Sequence, residues 1–242
     1  MGDDLHRLEI VAEARWAQAG ADRLAQAMQR SLLARNRCLL ALSGGSTPAP
    51  VLAALASHPL DWDRVTVLQV DERLVPPDHP DRNLRGQQAA LGHLPVSWLP
   101  LPVDALLAAP DPNGEPDPAV GAAALRDWTH RLVELADDPP VLDVVHLGLG
   151  ADGHTASLVA GDPAVMELRR YVTLTRPYQG HRRLTLTRPV FDRAQCVIWL
   201  VRGADKAEPL WRLLAGDLSI PAGVIRPRHS LIVADPDATR QG

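Results

Sequence analysis

Three loops and one lysine gather the side chains of this chain that could do chemistry. The first loop is Ser43-Gly44-Gly45-Ser46-Thr47-Pro48, after the apolar run CLLAL. Paired glycines let a backbone come close to a ligand. The hydroxyls can cap a helix or bind oxygen, and a helix starting here would offer free N–H groups to an anion. A capped tight turn would use the same residues, so phosphate binding and plain capping are both open. No Gly-Lys-Ser/Thr follows, which rules out a P-loop. The second loop is Asp71-Glu72-Arg73, leading into Asp78, His79 and Asn83. It could position a polar substrate or stabilise developing negative charge, or it could be a surface salt-bridge cluster. The third is LGLGADGHTASL, residues 147–158. It fits G-x-G-x-x-G, but the acidic residue that a dinucleotide site wants at the end of the next strand is missing: Asp162 and Glu167 fall in a short proline-containing segment. What it offers instead is Asp152-Gly153-His154 at the expected start of a helix. A helix N-terminus disfavours imidazolium, so His154 would stay neutral and able to accept a proton. A histidine that merely caps or packs would be the plainer reading for a lone His, but not beside two other polar strand-end loops. Lys206 is the only lysine among 25 basic residues, where a compact ammonium could be needed or composition could have spared one.

These loops need elements to hold them. Apolar residues recur at helical spacing from about Val11 to Arg35, with Leu24, Met28, Leu32 and Leu33 on one face. CLLAL reads as a buried strand running through the Ser43–Thr47 turn into a helix with Pro48 in its first turn. VTVLQVDE (65–72) reads as a second buried strand, followed by a polar loop and a helix around Leu84–Leu91. The segment Asp104–Pro118 reads as a surface excursion. A helix around Val120–Ala136, a strand over 141–150, a half-exposed alternating strand RRLTLT (182–187), the strand CVIWLVRG, the helix ADKAEPLWRLLAG and the strand SLIVAD follow. Apolar strands separated by helices mean a mainly parallel sheet covered on both faces: one three-layer α/β domain, Rossmann-like, over 1–242. In such sheets ligands bind beyond the carboxyl ends of the strands, where all three loops lie.

Composition narrows the partners. The chain has 242 residues, is 46% hydrophobic and 22% charged, and carries a net charge of -4. No basic stripe favours nucleic acid or an anionic membrane. No run reaches the roughly 18 apolar residues of a membrane span, and MGDDLHRLEI lacks a signal-peptide layout. Cys38 and Cys196 sit in apolar runs with no zinc or disulfide spacing. A cytoplasmic monomer or weak homodimer is expected.

SGGSTP at 43–48, DERLVPPDHPDRN at 71–83, LGLGADGHTASL at 147–158, RRLTLT at 182–187 and GADKAEPLW at 203–211 resemble, in order, the motifs of the 6-phosphogluconolactonase family, which shares its fold with glucosamine-6-phosphate isomerase/deaminase. Arg82-Asn83 stands where that family usually has Ser-Asn, and Val159-Ala160-Gly161 where Phe-Pro-Gly is frequent. The resemblance implies hydrolysis of 6-phosphogluconolactone to 6-phosphogluconate, the second step of the pentose phosphate pathway, without metal or organic cofactor. It implies a phosphate held by Ser43, Gly44, Gly45, Ser46 and Thr47 with Lys206 and Arg183, and substrate contacts from Asn83 and Gly150. His154 would activate water, Asp152 would orient its loop, Arg73 would stabilise the oxyanion, and Asp71 would hold Arg73 or a sugar hydroxyl. No G-x-S-x-G elbow supplies a nucleophilic serine. A sugar-phosphate isomerase/deaminase and a non-catalytic sugar-phosphate sensor are the rivals. The isomerase branch tends to carry an aromatic residue where this chain has Arg73, and a sensor would usually be fused to a DNA-binding segment.

Overall fold

The computed structural model describes residues 5–108, 110 and 116–240. Part of the excursion expected over 104–118 and the first four residues of the N-terminal segment lie outside the described residues. The strands are β1 (Arg7–Ile10), β2 (Cys38–Leu42), β3 (Val65–Gln69), β4 (Asp71–Arg73), β5 (Ser97–Trp98), β6 (Val144–Leu147), β7 (Val172–Leu174), β8 (Arg183–Leu186), β9 (Cys196–Val201) and β10 (Ser230–Ala234). The helices are α1 (Glu13–Arg35), α2 (Ala49–Leu55), α3 (Asn83–Leu91), α4 (Val103–Leu107), α5 (Pro118–Ala136), α6 (Arg188–Arg193) and α7 (Ala207–Leu214).

Seven strands form one sheet in the order β1-β10-β9-β6-β2-β3-β5, every neighbouring pair parallel. Side chains alternate across a strand, and β2 shows what this does to the core. Cys38, Leu40 and Leu42 join a cluster with Trp16, Leu24 and Met28 of α1 and Val51 and Leu55 of α2. Leu39 and Ala41 join the opposite cluster, with Trp128 and Leu132 of α5, Phe191 of α6 and Leu210 and Leu213 of α7. Both faces of β2 are therefore buried, which is why the sequence reads as an unbroken apolar run. The expected mainly parallel sheet, covered on both faces, is what the chain forms.

Four expectations need correction. Leu33 is exposed, because it lies a hundred degrees round α1 from the stripe Leu24, Met28, Leu32. VTVLQVDE is two strands in two sheets: β3 ends at Gln69, and Asp71 begins β4 of a second, antiparallel sheet ordered β4-β8-β7. Val70 is the hinge, its N–H donating to Leu42 of the large sheet and its carbonyl accepting from Leu186 of the small one. β8 is buried along its whole length rather than half exposed. The residues after β6 form turns, not a helix, so His154 has no helix N-terminus beneath it.

From β2 the chain goes to β3 and β5 on one side, then returns to place β6 on the other side of β2. The order reverses between β2 and β6, and a crevice opens outside their carboxyl ends.

Candidate active site

That crevice holds a cavity of about 220 Å³. Neighbouring strands feed it in sheet order: the loop after β9 brings Arg202 and Lys206, the loop after β6 brings Gly150 and His154, the loop after β2 brings Ser43, Gly44 and Thr47, and β3 continues into Asp71 and Arg73. Asn83 and Arg183, also expected from sequence, line it too. Gly45 and Ser46 do not line the cavity, and Asp152 stands behind His154 rather than on the wall.

His154 is oriented by contacts that replace the expected helix. Its Nδ1 lies 2.5 Å from Asp152 Oδ1, and its backbone N–H donates to the same oxygen at 3.2 Å. An ionised carboxylate can only accept, so Nδ1 carries the hydrogen and Nε2 presents its lone pair. Asp152 Oδ2 accepts from the Tyr178 hydroxyl at 3.0 Å, and the Tyr178 ring meets the imidazole edge to face, centroids 5.4 Å apart. Partial burial pushes the Asp152 carboxyl up, but the hydrogen bonds from His154 and Tyr178 outweigh it and hold the group below its usual range. The turn that carries the pair closes through Gly150 N–H to His154 O at 2.8 Å and Thr155 Oγ1 to Gly148 O at 2.8 Å. A Cβ on Gly150 would lie 2.1 Å from His154 Nδ1, so only glycine fits there.

The Asp71-Glu72-Arg73 strand splits into two jobs. Glu72 is fully buried and faces away from the cavity. It accepts from the backbone N–H groups of Arg73, Asn83 and Leu84 at 2.7–2.8 Å and from Gln69 Nε2 at 3.3 Å. It thereby caps α3, and burial pushes its carboxyl up despite those bonds. The departure at Arg82 belongs to this interior: its guanidinium lies 3.4 Å from Glu72 and bonds Val75 O and Asp104, off the cavity wall.

Asp71 and Arg73 face the cavity. Asp71 Oδ2 accepts from Ser157 at 2.5 Å, and its backbone carbonyl accepts from Asn83 Nδ2 at 2.9 Å. Arg73 Nη1 donates to Asn83 Oδ1 at 2.7 Å and to Asp81 O at 2.8 Å. Asn83 is thus the joint between the two, and Gly44 packs against it so closely that a Cβ would fall 1.9 Å from Asn83 Oδ1. Across the β4–β8 ladder, Arg73 stands directly opposite Arg183. Like charges in that register are destabilising. Arg183 is buried, lies 5.2 Å over the Tyr178 ring, and is pushed down by burial and by Arg73 against the pull of Asp71. The Nε–H groups of both arginines are buried and find no acceptor among the described residues.

On the far side, Lys206 Nζ lies 2.7 Å from Asp205. Lys206 ends a short turn of 3₁₀ helix and forms the N-cap of α7, close to the expected first-turn position. Ser43 turns its hydroxyl inward to His146 O at 3.0 Å, and His146 Nδ1 accepts from Ser43 N–H at 3.3 Å. Full burial pushes His146 down to about 3, so it stays neutral.

Sequence reasoning did not single out Tyr178, Arg202 or His146. Tyr178 and Arg202 lie outside any local spacing signal, and His146 hides inside an apolar strand. Ser157 stood within the third loop, but its bond to Asp71 spans 86 residues. Among the described residues no group of three or more His, Cys, Asp or Glu side chains could hold a metal ion.

A family model described as glucosamine-6-phosphate isomerases/6-phosphogluconolactonase matches residues 12–234. The chain is 37% identical over 203 residues to a 6-phosphogluconolactonase of a Nostoc species, covering 82% of this chain and 81% of that protein. It is 35% identical over 208 residues to a 6-phosphogluconolactonase of a Synechocystis species, covering 84% and 83%. The solved 6-phosphogluconolactonase of Trypanosoma brucei superimposes with a TM-score of 0.81 at 25% identity, over 96% of this chain and 97% of that one. Motif order, the crevice between β2 and β6 and these likenesses agree: the chain belongs to the glucosamine-6-phosphate isomerase/6-phosphogluconolactonase family.

Proposed function

We propose that this chain is a 6-phosphogluconolactonase: it hydrolyses 6-phospho-D-glucono-1,5-lactone to 6-phospho-D-gluconate, the second step of the pentose phosphate pathway. The observation that carries the mechanism is the Asp152–His154 pair, whose free Nε2 opens onto a cavity with cationic groups on both sides. The relatives at 35–37% identity bear the lactonase name, which favours this branch of the family over the isomerase.

In the reaction, Nε2 of His154 takes a proton from water as the water oxygen bonds to the lactone carbonyl carbon. The carbonyl π pair moves onto oxygen, and the Arg73 guanidinium stabilises that oxyanion. Collapse breaks the bond between this carbon and the ring oxygen, which leaves as a hydroxyl after taking the proton from the His154 imidazolium. The new carboxylic acid then loses its proton to solvent. Asp152 holds the imidazole in the tautomer that can accept, and Tyr178 holds Asp152. Asp71 and Asn83 keep Arg73 in place.

The phosphate belongs on the other side, with Lys206, Arg202 and Thr47, while Gly44, packed on Asn83, borders both ends. Arg183, expected on the phosphate, stands across the ladder from Arg73, so we assign it to the oxyanion end. Two facing guanidiniums, one buried and one half-buried, whose Nε–H groups find no acceptor among the described residues, suit a site where negative charge develops. Gly45 and Ser46 shape the turn. Among the described residues no helix is long and apolar enough to cross a membrane, and a cytoplasmic monomer or weak homodimer remains the proposed state.

His154→Gln tests the reading. It should lower kcat on enzymatically generated lactone by about 10²-fold or more with the circular dichroism spectrum unchanged. A folded variant within a few-fold of wild type would remove His154 as the base.

A further inference from the structure

A second cavity, of about 730 Å³, opens at the other end of the sheet, where the strands begin. The second half of α1 forms one wall, and the first residues of β1, β9 and β10 form the floor. Among the described residues, five arginines and two carboxylates line it, an excess of three positive charges in a chain whose net charge is -4. Both carboxylates are already engaged. Glu9 takes two hydrogen bonds from Arg23, at 2.8 and 2.9 Å. Asp143 takes one from Arg35 at 2.9 Å and one from Leu39 N–H at 2.8 Å. Arg7, Arg30 and Arg228 form no ion pair with a carboxylate among the described residues, although Arg7 adds to the pull that lowers the Glu9 carboxyl and Arg30 bonds the Cys196 thiol.

Like charges gathered in a concavity repel one another and focus the field on whatever enters. Guanidiniums are weakly hydrated and present fork-shaped donor sets that match phosphate and carboxylate. Ala27, Ile198 and Leu231 supply an apolar floor for the carbon part of a ligand. We propose that this cavity binds a small organic anion carrying two or more negative charges, a phosphorylated or polycarboxylate metabolite, at a site separate from the catalytic crevice. Arg7, Arg30 and Arg228 hold its charged groups.

Calorimetric titration at low ionic strength tests this, with pyrophosphate and citrate as probes. Three proteins are compared: the wild type, the Arg30→Gln/Arg228→Gln double variant and Lys206→Ala. Wild type and Lys206→Ala should bind at least one probe. The double variant should bind it roughly tenfold more weakly or worse, since two charge-assisted contacts are lost. Its lactonase kcat/KM without added anion should match wild type, because both arginines are exposed and off the catalytic crevice. Preference for pyrophosphate would mark a phosphate ligand, and preference for citrate a carboxylate. The proposal fails if wild type binds neither probe at millimolar concentration, or if the double variant binds as tightly as wild type. It also fails if Lys206→Ala alone abolishes binding, which would place the anion in the catalytic crevice, or if the double variant changes only the oligomeric state.

Discussion

Lys206 and Tyr178 show how much of a site a single residue type reveals. The lone lysine was legible because an ammonium at the start of a helix opposes the helix dipole, and an arriving anion would offset that. Losing it should remove binding shared by ground and transition states, so Lys206→Ala should raise KM by roughly 10- to 100-fold with a smaller effect on kcat. The same variant should barely change the hydrolysis of gluconolactone without its phosphate. Equal losses on both lactones would move Lys206 from the phosphate to the carbonyl. Tyr178 was not legible. Its link to Asp152 joins loops 26 residues apart, and neither loop has a periodicity that forces them together. Tyr178→Phe keeps the ring against His154 and deletes only the hydroxyl. It should lower kcat several-fold, leave KM nearly unchanged, and move the acidic limb of the kcat/KM–pH profile. A profile that superimposes on wild type would reduce Tyr178 to packing.

Among the elements, the long runs were read well and the polar ones were misread for a common reason. In β8 the alternation of Arg183 and Thr185 with Leu184 and Leu186 is real, but its polar face looks into the protein. Arg183 lines the crevice and Thr185 Oγ1 accepts from Ser157 N–H. An alternating strand marks a polar face, and that face here is the site rather than water. The expected helix after β6 failed similarly. Asp-Gly-His resembles a helix start, but Gly153 at φ 79° and Ala156 at φ 49° bend the chain into turns that side-chain bonds hold. The break at Val70 left no trace because both halves of VTVLQVDE are buried. Glu72 is the element-scale test. With its carboxylate removed, the first N–H groups of α3 lose their buried acceptor and the Arg82 guanidinium loses a buried counter-charge. Glu72→Ala should therefore destabilise the fold by about 3–5 kcal/mol, read as a fall in the urea midpoint. A loss under about 1 kcal/mol would mean that α3 is held by packing alone.

At the scale of the whole molecule, two buried histidines set an acid limit. Burial pushes His146 down to about 3, and burial together with Arg226 pushes His6 down to about 4. The unfolded chain protonates both near the ordinary value of about 6.5, so below that pH it binds more protons than the folded chain. Stability should fall as the pH drops from about 6.5 toward 4, with a slope of up to about 1.4 kcal/mol per pH unit for each histidine. Urea midpoints at pH 7 and pH 5 would show it, and a midpoint that holds or rises at pH 5 would contradict it. The direct measurement generates 6-phosphogluconolactone enzymatically and follows 6-phosphogluconate formation against the spontaneous rate, with glucosamine-6-phosphate offered in parallel. We expect lactone opening well above the blank in proportion to enzyme, with no ammonia or fructose-6-phosphate from the amino sugar. No acceleration over the blank, or turnover of glucosamine-6-phosphate, would contradict the lactonase assignment.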